Sequence, residues 1–452
     1  MRTAEIRRNL WLELSPQRLI ALPLILLVVV LVGEVVSSRE HYLGEVGSWL
    51  YYGMVLLWGS RRAAAAVTEE VNGGTWIGQR LSALSPSALV LGKLFGATAF
   101  IWYGGLIGLA LYGFILFDAD LPQAYVAAVL LQHLAWGVFV HCVALAASLV
   151  LLNKRRLVES VGTTLPQILA LLVALAVFGL FWRGPLVVSL VGVGQAISWY
   201  GLAFDPALFL TAVAVVFAAW GALACVRLMA AQLQRQLLPW AWPAFVLFLI
   251  AFAEGFVPSS PERSVLFSQI SAISVALTLY YLALFADRNE PLRFRHCIAA
   301  FAGGRLRRGL SLLPWWVYGW FILLAAALWP SGGESAEPDL LGRLAQVFGL
   351  TVTDSVLARL GLVCFALRDA AFVLWINAGG RNQRADLVAL IYLLVLYGPL
   401  VALFIGLEAW TVVGLLAPLP IGPAGLGLAS ALVQTAVLGF LTWRRWQALF
   451  RT

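Results

Sequence analysis

Apolar stretches of about 20 residues recur from one end of the chain to the other, each long enough to cross ~30 Å of hydrocarbon as a helix. They leave no interval wide enough for a soluble domain of ordinary size. Of 452 residues, 62% are hydrophobic and 12% are charged, and the mean hydropathy of +0.90 lies far from soluble proteins. The expected fold class is all-α: a polytopic membrane protein whose chemistry sits in the membrane, in short loops or on a partner.

Twelve spans are expected, at roughly 19–37, 46–60, 94–117, 123–152, 164–182, 207–229, 238–257, 265–286, 312–329, 356–378, 386–408 and 423–443, with ends uncertain by ~4 residues. The run after Arg18 is long and lacks a small-residue cleavage site, so it reads as a retained first span. With the N-terminus inside, the cytoplasmic segments hold 24 of the 30 lysines and arginines. The opposite loops carry Asp118, Asp120, Glu262, Glu334, Glu337 and Asp339 instead. This alternation follows the positive-inside rule and puts both termini in the cytoplasm. The net charge of +8 is then a topology signal with an attraction to anionic membrane lipids, and it implies no nucleic acid. Cys142, Cys225, Cys297 and Cys364 show no CxxC spacing and read as small buried hydrophobes.

A cut near Leu238 gives two halves of six spans, 1–237 and 238–452, each beginning and ending inside. "WGALACVRLMAAQLQR" compares with "LGFLTWRRWQALFR", and the segments after the fourth and tenth spans compare likewise. The two longest cytoplasmic insertions, 61–93 and 287–311, fall at equivalent places. A duplication of this kind favours a pathway at the repeat interface, hence a transporter over an enzyme.

The first insertion contains "EEVNGGTWIGQRLSALSPSALVLGKLFG", residues 69–96. Gly73-Gly74 ends any helix begun near Arg62, because glycine is a poor helix-interior residue. Ser85 is a good N-cap and Pro86 suits the first helical position, so a new helix is expected to run through Gly92-Lys93 into the third span. The pattern Glu70-x-x-x-Gly74-Thr75, Leu84-Ser85-Pro86-Ser87 and Gly92-Lys93-Leu94 resembles the region between the second and third spans of ABC exporter permeases of the type-2 class. In that family this region includes the coupling helix, which docks on a separate ATPase subunit. "MRTAEIRRNLWLEL" is similar to the family's connecting helix, lying at the membrane interface. The glycine-broken stretches "GPLVVSLVGVGQAISWYGLAFDP" and "AWTVVGLLAPLPIGPAGLG" look like its external re-entrant elements.

The resemblance implies coupling roles for Glu69, Glu70, Gly74, Thr75, Arg80, Ser85, Pro86 and Lys93, with Glu290 and Arg293 in the second insertion. It also implies two copies of a cytoplasmic P-loop ATPase as partners, with ATP and Mg bound there, since this chain has no GxxxxGK[ST] and is expected to bind no cofactor or metal itself. Ordinary members carry six spans and dimerise, whereas this chain holds both halves. Its second insertion, "DRNEPLRFRHCIAAFAGGRLRRG", keeps Asp287 and Glu290 but lacks the Gly-Thr and Gly-Lys features, so coupling is expected to be asymmetric.

Other candidates are weaker. Asp118-Ala119-Asp120 is a DxD of the kind lipid-linked-sugar glycosyltransferases use, but it sits in a loop of a few residues and reads as a solvated turn. His141-Cys142 and His296-Cys297 lack the three or four convergent donors of a metal site. Arg368-Asp369 is the most unusual intramembrane pair, a pathway candidate or a local ion pair, since ionisable groups at depth are costly. Glu254 and Glu408 lie near the outer ends of spans. Trp182, Trp240, Trp242, Trp315 and Trp316 fit interfacial belts. The resulting expectation is a fused permease of a bacterial inner membrane, exporting a lipophilic or amphipathic small molecule by alternating access. The alternatives are a secondary transporter and a lipid-linked-sugar glycosyltransferase.

Overall fold

The computed structural model describes residues 4–36, 42–119, 121–154, 164–182, 196–235, 237–257, 261–329, 356–379, 385–417 and 424–451. Asp120, Glu334, Glu337 and Asp339, used above to orient the chain, lie outside the described residues, as do Arg155, Arg156, Arg381 and Arg384 among the 24 cytoplasmic lysines and arginines. The chain divides into two compact units, residues 1–198 with 202–237, and residues 199–201 with 238–452.

The first unit contains α1 (Ala4–Glu13), α2 (Pro16–Val36), α3 (Tyr42–Tyr51), α4 (Ser60–Asn72), α5 (Trp76–Leu81), α6 (Pro86–Leu91), α7 (Ala99–Asp118), α8 (Gln123–Lys154), α9 (Thr164–Trp182) and α10 (Pro206–Gln232). The second contains α11 (Ala241–Glu254), α12 (Pro261–Ala286), α13 (Pro291–Ala302), α14 (Leu306–Leu312), α15 (Trp315–Leu328), α16 (Val356–Asn377), α17 (Ala385–Val395), α18 (Val401–Gly406), α19 (Trp410–Leu416) and α20 (Ala424–Arg451). Short π-helical segments, Tyr52–Gly59, Gly92–Gly96 and Leu396–Leu400, continue α3, α6 and α17. The only strands among the described residues, β1 (Ile197–Trp199) and β2 (Leu202–Phe204), form a hairpin where the first external re-entrant element was expected. Residues 183–195 of that element lie outside the described residues.

Among the described residues, seven helices are long and apolar enough to cross a bilayer: α2, α7, α8, α10, α12, α17 with α18, and α20. An eighth would join α14 and α15 across a 93° bend. The chain is therefore an all-α, multi-pass membrane protein, with fewer unambiguous spans than the twelve expected. Of the other expected spans, α9 with 19 residues and α16 with 22 are long enough to cross, and the rest are shorter or interrupted. α11 and α15 have 14 residues each, about 21 Å at the helical rise. α16 carries Arg359, Arg368 and Asp369, and the helical run 42–72 is interrupted by the π-helical turn. The exterior is apolar as lipid contact requires: Leu24, Ile25, Leu27, Val28 and Leu31 of α2 are each more than half exposed.

At the centre of the first unit, α8 is clamped between two helices that run parallel to it. On one side Tyr51 Oη donates to His133 O (2.5 Å), His141 Nε2 bonds Val55 O (2.9 Å) and Ser148 Oγ donates to Ala64 O (2.6 Å). On the other, Thr211 Oγ1, Cys225 Sγ and Gln232 Nε2 of α10 donate to the carbonyls of Ala128, Cys142 and Leu149, at 2.9, 3.1 and 3.2 Å. Each of these three pairs is separated by 83 residues. A constant offset means parallel helices in fixed register, and donors at multiples of seven form a straight seam. Helical carbonyls retain a second lone pair for such bonds, which substitute for the hydrophobic drive missing in lipid. Close approach between α3 and α7 needs glycine on both sides. A Cβ on Gly47 would lie 2.6 Å from Gly108 O, and one on Gly108 would lie 2.6 Å from Gly47 O.

The second unit repeats the device around α16. Thr435 and Thr442 of α20 donate to Cys364 O and Ala371 O, both at 3.1 Å and both 71 residues apart. From α12, Tyr280 Oη donates to Ala366 O (2.6 Å). The dipeptides Tyr51-Tyr52 and Tyr280-Tyr281 thus occupy corresponding places, each presenting a fully buried first tyrosine to a backbone carbonyl.

Candidate functional site

The first insertion folds as the glycine and serine-proline signals dictate. α4 stops at Gly73, and Gly74 takes φ +72°, a left-handed conformation that glycine adopts without a Cβ penalty. The bonds Gly74 N to Val71 O (3.2 Å) and Thr75 N to Glu70 O (3.0 Å) close the turn as a Schellman motif. Ser85 Oγ accepts from Ala88 N (3.2 Å) and Pro86 opens α6. Thr75 Oγ1 leans back to Glu70 O (3.3 Å).

Into this frame comes α1, whose Glu5, Arg8 and Asn9 share one face at helical spacing. Asn9 Nδ2 donates to Gly92 O (3.0 Å) and to Glu5 Oε1 (3.3 Å). Lys93 Nζ pairs with Glu5 Oε1 (3.3 Å) and with Glu70 Oε2. Arg8 Nη2 reaches Glu70 Oε1 (2.7 Å), and Gln79 Nε2 of α5 donates to the same oxygen (2.6 Å). Two carboxylates and two cations therefore balance, with Lys93 1% and Glu5 4% exposed. The helix fits because Gly92 and Gly96 are bare: a Cβ on Gly92 would lie 2.3 Å from Glu5 Cγ, and one on Gly96 would lie 2.8 Å from Asn9 Cβ. Beside the cluster, Arg62 bridges Glu13 (2.7 Å) and Glu69 (2.5 Å). Burial works against the Arg62 charge, but its hydrogen bonds to those carboxylates outweigh burial and raise its pKa.

Four elements thus converge on Glu70 and Lys93: α1, the end of α4, α5 and the start of the third expected span. Gln79 ties α5 to Glu70, and Glu70 and Glu5 both meet Lys93. Arg80, Ile77 and Leu81 of α5 remain exposed, Leu81 at 82%. Of the residues expected from sequence, Glu70 and Lys93 form the cluster's centre, Glu69 its edge, Gly74, Thr75, Ser85 and Pro86 its scaffold, and Arg80 its outer face. Glu5, Arg8, Asn9 and Gln79 were not singled out, although Glu5-x-x-Arg8-Asn9 in "MRTAEIRRNL" was a signal that could have found the α1 face.

The second insertion closes on itself. Asp287 accepts from Arg293 Nη1 (2.5 Å), Arg288 N (2.8 Å) and Trp315 N (2.7 Å). Arg293 also donates to Leu312 O (2.8 Å) and Leu313 O (3.2 Å), so its guanidinium is spent inside the hairpin. Glu290 stands at the N-cap of α13 without a side-chain capping bond. Asn289 holds Trp316 Nε1 (3.2 Å). Cys297 is buried under α14, and burial pushes its thiol pKa up while Arg293 opposes the shift.

Arg368 and Asp369, 3% and 0% exposed, sit in a larger cluster. Arg368 Nε and Nη2 hold Asp369 Oδ1 at 2.9 and 2.7 Å, while Tyr281 and Tyr397 donate to Oδ2 at 2.5 and 2.7 Å. Arg368 Nη1 donates to Leu416 O and Gln434 Oε1, both at 2.9 Å, and Ser430 and Gln434 donate to Leu415 O. The last carbonyls of α19, which have no partner within their own helix, are supplied by these side chains. The pair anchors the short helix that stands where the second re-entrant element was expected.

Among the described residues no three His, Cys, Asp or Glu side chains converge as metal ligands. His141 is occupied with the Val55 carbonyl, and Asp118 is exposed at the end of α7. Compared with known proteins, the chain matches no family model, no curated protein and no solved structure.

Proposed function

We propose that the chain is the membrane-spanning permease of an ATP-driven ABC exporter. It comprises two fused six-span halves in a bacterial inner membrane with both termini cytoplasmic, and its ATPase is a separate polypeptide present in two copies. The observation that carries this reading is the buried Glu5–Lys93–Glu70 cluster, which joins an exposed cytoplasmic helix, α5, to the N-terminal helix and to the third expected span. A subunit driven from the cytoplasm needs a firm link of this kind between the docking helix and the spans.

Three further observations support a duplication. Gly73-Gly74 and Gly303-Gly304 make the same Schellman turn, with Gly304 at φ +69° and Arg305 N bonded to Ala300 O (2.9 Å). The Tyr-Tyr pairs recur at nearly the same interval before these turns, and parallel seams recur behind them. Parallel packing of the fourth helix with the sixth requires an intervening pass, which fits α9 as a fifth span. In this reading closure of the ATPase dimer moves α5, and the chain exports a lipophilic or amphipathic molecule by alternating access.

The buried Asp369 favours a second reading, a secondary transporter coupled to an ion. A glycosyltransferase reading has only exposed Asp118 to support it. The test is reconstitution: the full chain is purified in mild detergent, co-purification of a P-loop ATPase is scored, and transport is measured in liposomes with and without ATP. ATP-dependent transport that Glu70→Gln uncouples from hydrolysis is expected. Full transport by this chain alone along an ion gradient would replace the exporter with the secondary transporter.

A further inference from the structure

We infer that the α13–α14 hairpin of the second unit is a membrane-surface element that lies on the cytoplasmic leaflet and binds anionic phospholipid headgroups. The inference uses the orientation adopted above but does not depend on what drives the chain.

The first observation is geometric. α14 meets α15 at 93°, so if α15 runs through the bilayer, α14 lies in the membrane plane. Trp315 and Trp316 stand at the corner and fix it from within the unit, Trp316 buried and bonded to Asn289 and Trp315 half-buried against Trp242. The second is the pattern on the surface. Leu306 (65% exposed) and Leu310 (40%) form one apolar edge of α14, four residues apart, and Leu292 and Ile298 are also exposed on α13. A basic helix with an exposed apolar edge is suited to the headgroup boundary, with long arginines reaching up to phosphates.

The third is charge. Residues 287–311 carry six arginines against Asp287 and Glu290, a net +4. Asp287 is already engaged by Arg293. Arg305, Arg307 and Arg308 are exposed, and among the described residues no carboxylate pairs with them. The corresponding stretch 61–93 carries a net +2, with Arg61, Arg62, Arg80 and Lys93 against Glu69 and Glu70, and Arg62, Lys93 and both glutamates are ion-paired in the α1 cluster or beside it. An anionic leaflet supplies both the apolar floor and the phosphates that α14 lacks within the protein.

The experiment compares hydrogen–deuterium exchange of the full chain in nanodiscs of phosphatidylglycerol and of phosphatidylcholine. Both faces of a disc carry the same lipid, so the outcome is independent of orientation and of the exporter reading. A leaflet contact worth about fivefold per basic residue should slow exchange across 291–313 at least fivefold in phosphatidylglycerol. The combined change Arg305→Gln, Arg307→Gln and Arg308→Gln should remove that difference, and the three lysine replacements should keep it. Exchange in α16 and α20 reports whether the variants are folded; if the glutamine variant is not, loss of the wild-type difference in high salt takes its place. Equal exchange in the two lipids, or slowing that appears only when the ATPase is added, would overturn the proposal.

Discussion

Residues 69–93 and 287–311 share a backbone plan, a helix closed by a Gly-Gly turn and followed by a second short helix, and spend their charges in opposite ways. In the first, Glu70 and Lys93 are drawn into a buried cluster with α1, and the segment becomes part of the body of its unit. In the second, Asp287 and Arg293 tie the hairpin's own ends together, and the remaining arginines face outward. An identical turn therefore does not fix a role. The partner available to the acidic residue does: Glu70 meets α1, whereas Asp287 meets the N-terminus of α15.

Variants can break this contrast in order of effect. Lys93→Met leaves Glu5 and Glu70 to share the single cation Arg8, and losing one partner of a buried pair costs about 3–5 kcal/mol, so α1 should undock and its amides should exchange as a free helix while the second unit is unchanged. Adding Glu5→Gln and Glu70→Gln should recover most of the loss. Asp287→Ala removes one charge-assisted bond and a helix cap, worth about 1.5–3 kcal/mol, and should loosen 287–313 alone, read as protease sensitivity there. Gly92→Ala forces a Cβ against Glu5 and should cost about 1–3 kcal/mol, lowering the midpoint of thermal unfolding in detergent, whereas Gly304→Ala should act only through backbone strain. Thr442→Val and Thr211→Val each remove one seam bond, about 0.6 kcal/mol in a membrane interior, and should shift the two units' stabilities equally.

The parts of the site readable from sequence were those fixed by local rules. Gly73-Gly74 and Ser85-Pro86 announce a turn and a cap whatever surrounds them. Gly303-Gly304 announces the same turn, yet comparison for Gly-Thr and Gly-Lys features passed over it. The recurrent "LYY" at Leu50–Tyr52 and Leu279–Tyr281 was equally visible. Partners dozens of residues apart were not: Arg368-Asp369 stood out as a pair, but Tyr281 is 88 residues from Asp369 and nothing local links them. Hydropathy alone does not register a 93° bend, a π-helical turn or three charges within one helix, so several of the twelve expected spans are less plain among the described residues than in the sequence.

The seam between α8 and α10 has a consequence for how the chain tolerates change. Its acceptors are main-chain oxygens, which every residue possesses, while its donors are particular side chains. On α8, positions 128, 142 and 149 need only remain small enough for approach. On α10, Thr211, Cys225 and Gln232 carry all the chemical information of the contact. Across this seam, substitution should therefore be freer at positions 128, 142 and 149 of the central helix than at 211, 225 and 232 of its partner, while His141 and Ser148 hold the central helix to its other neighbour by their own side chains.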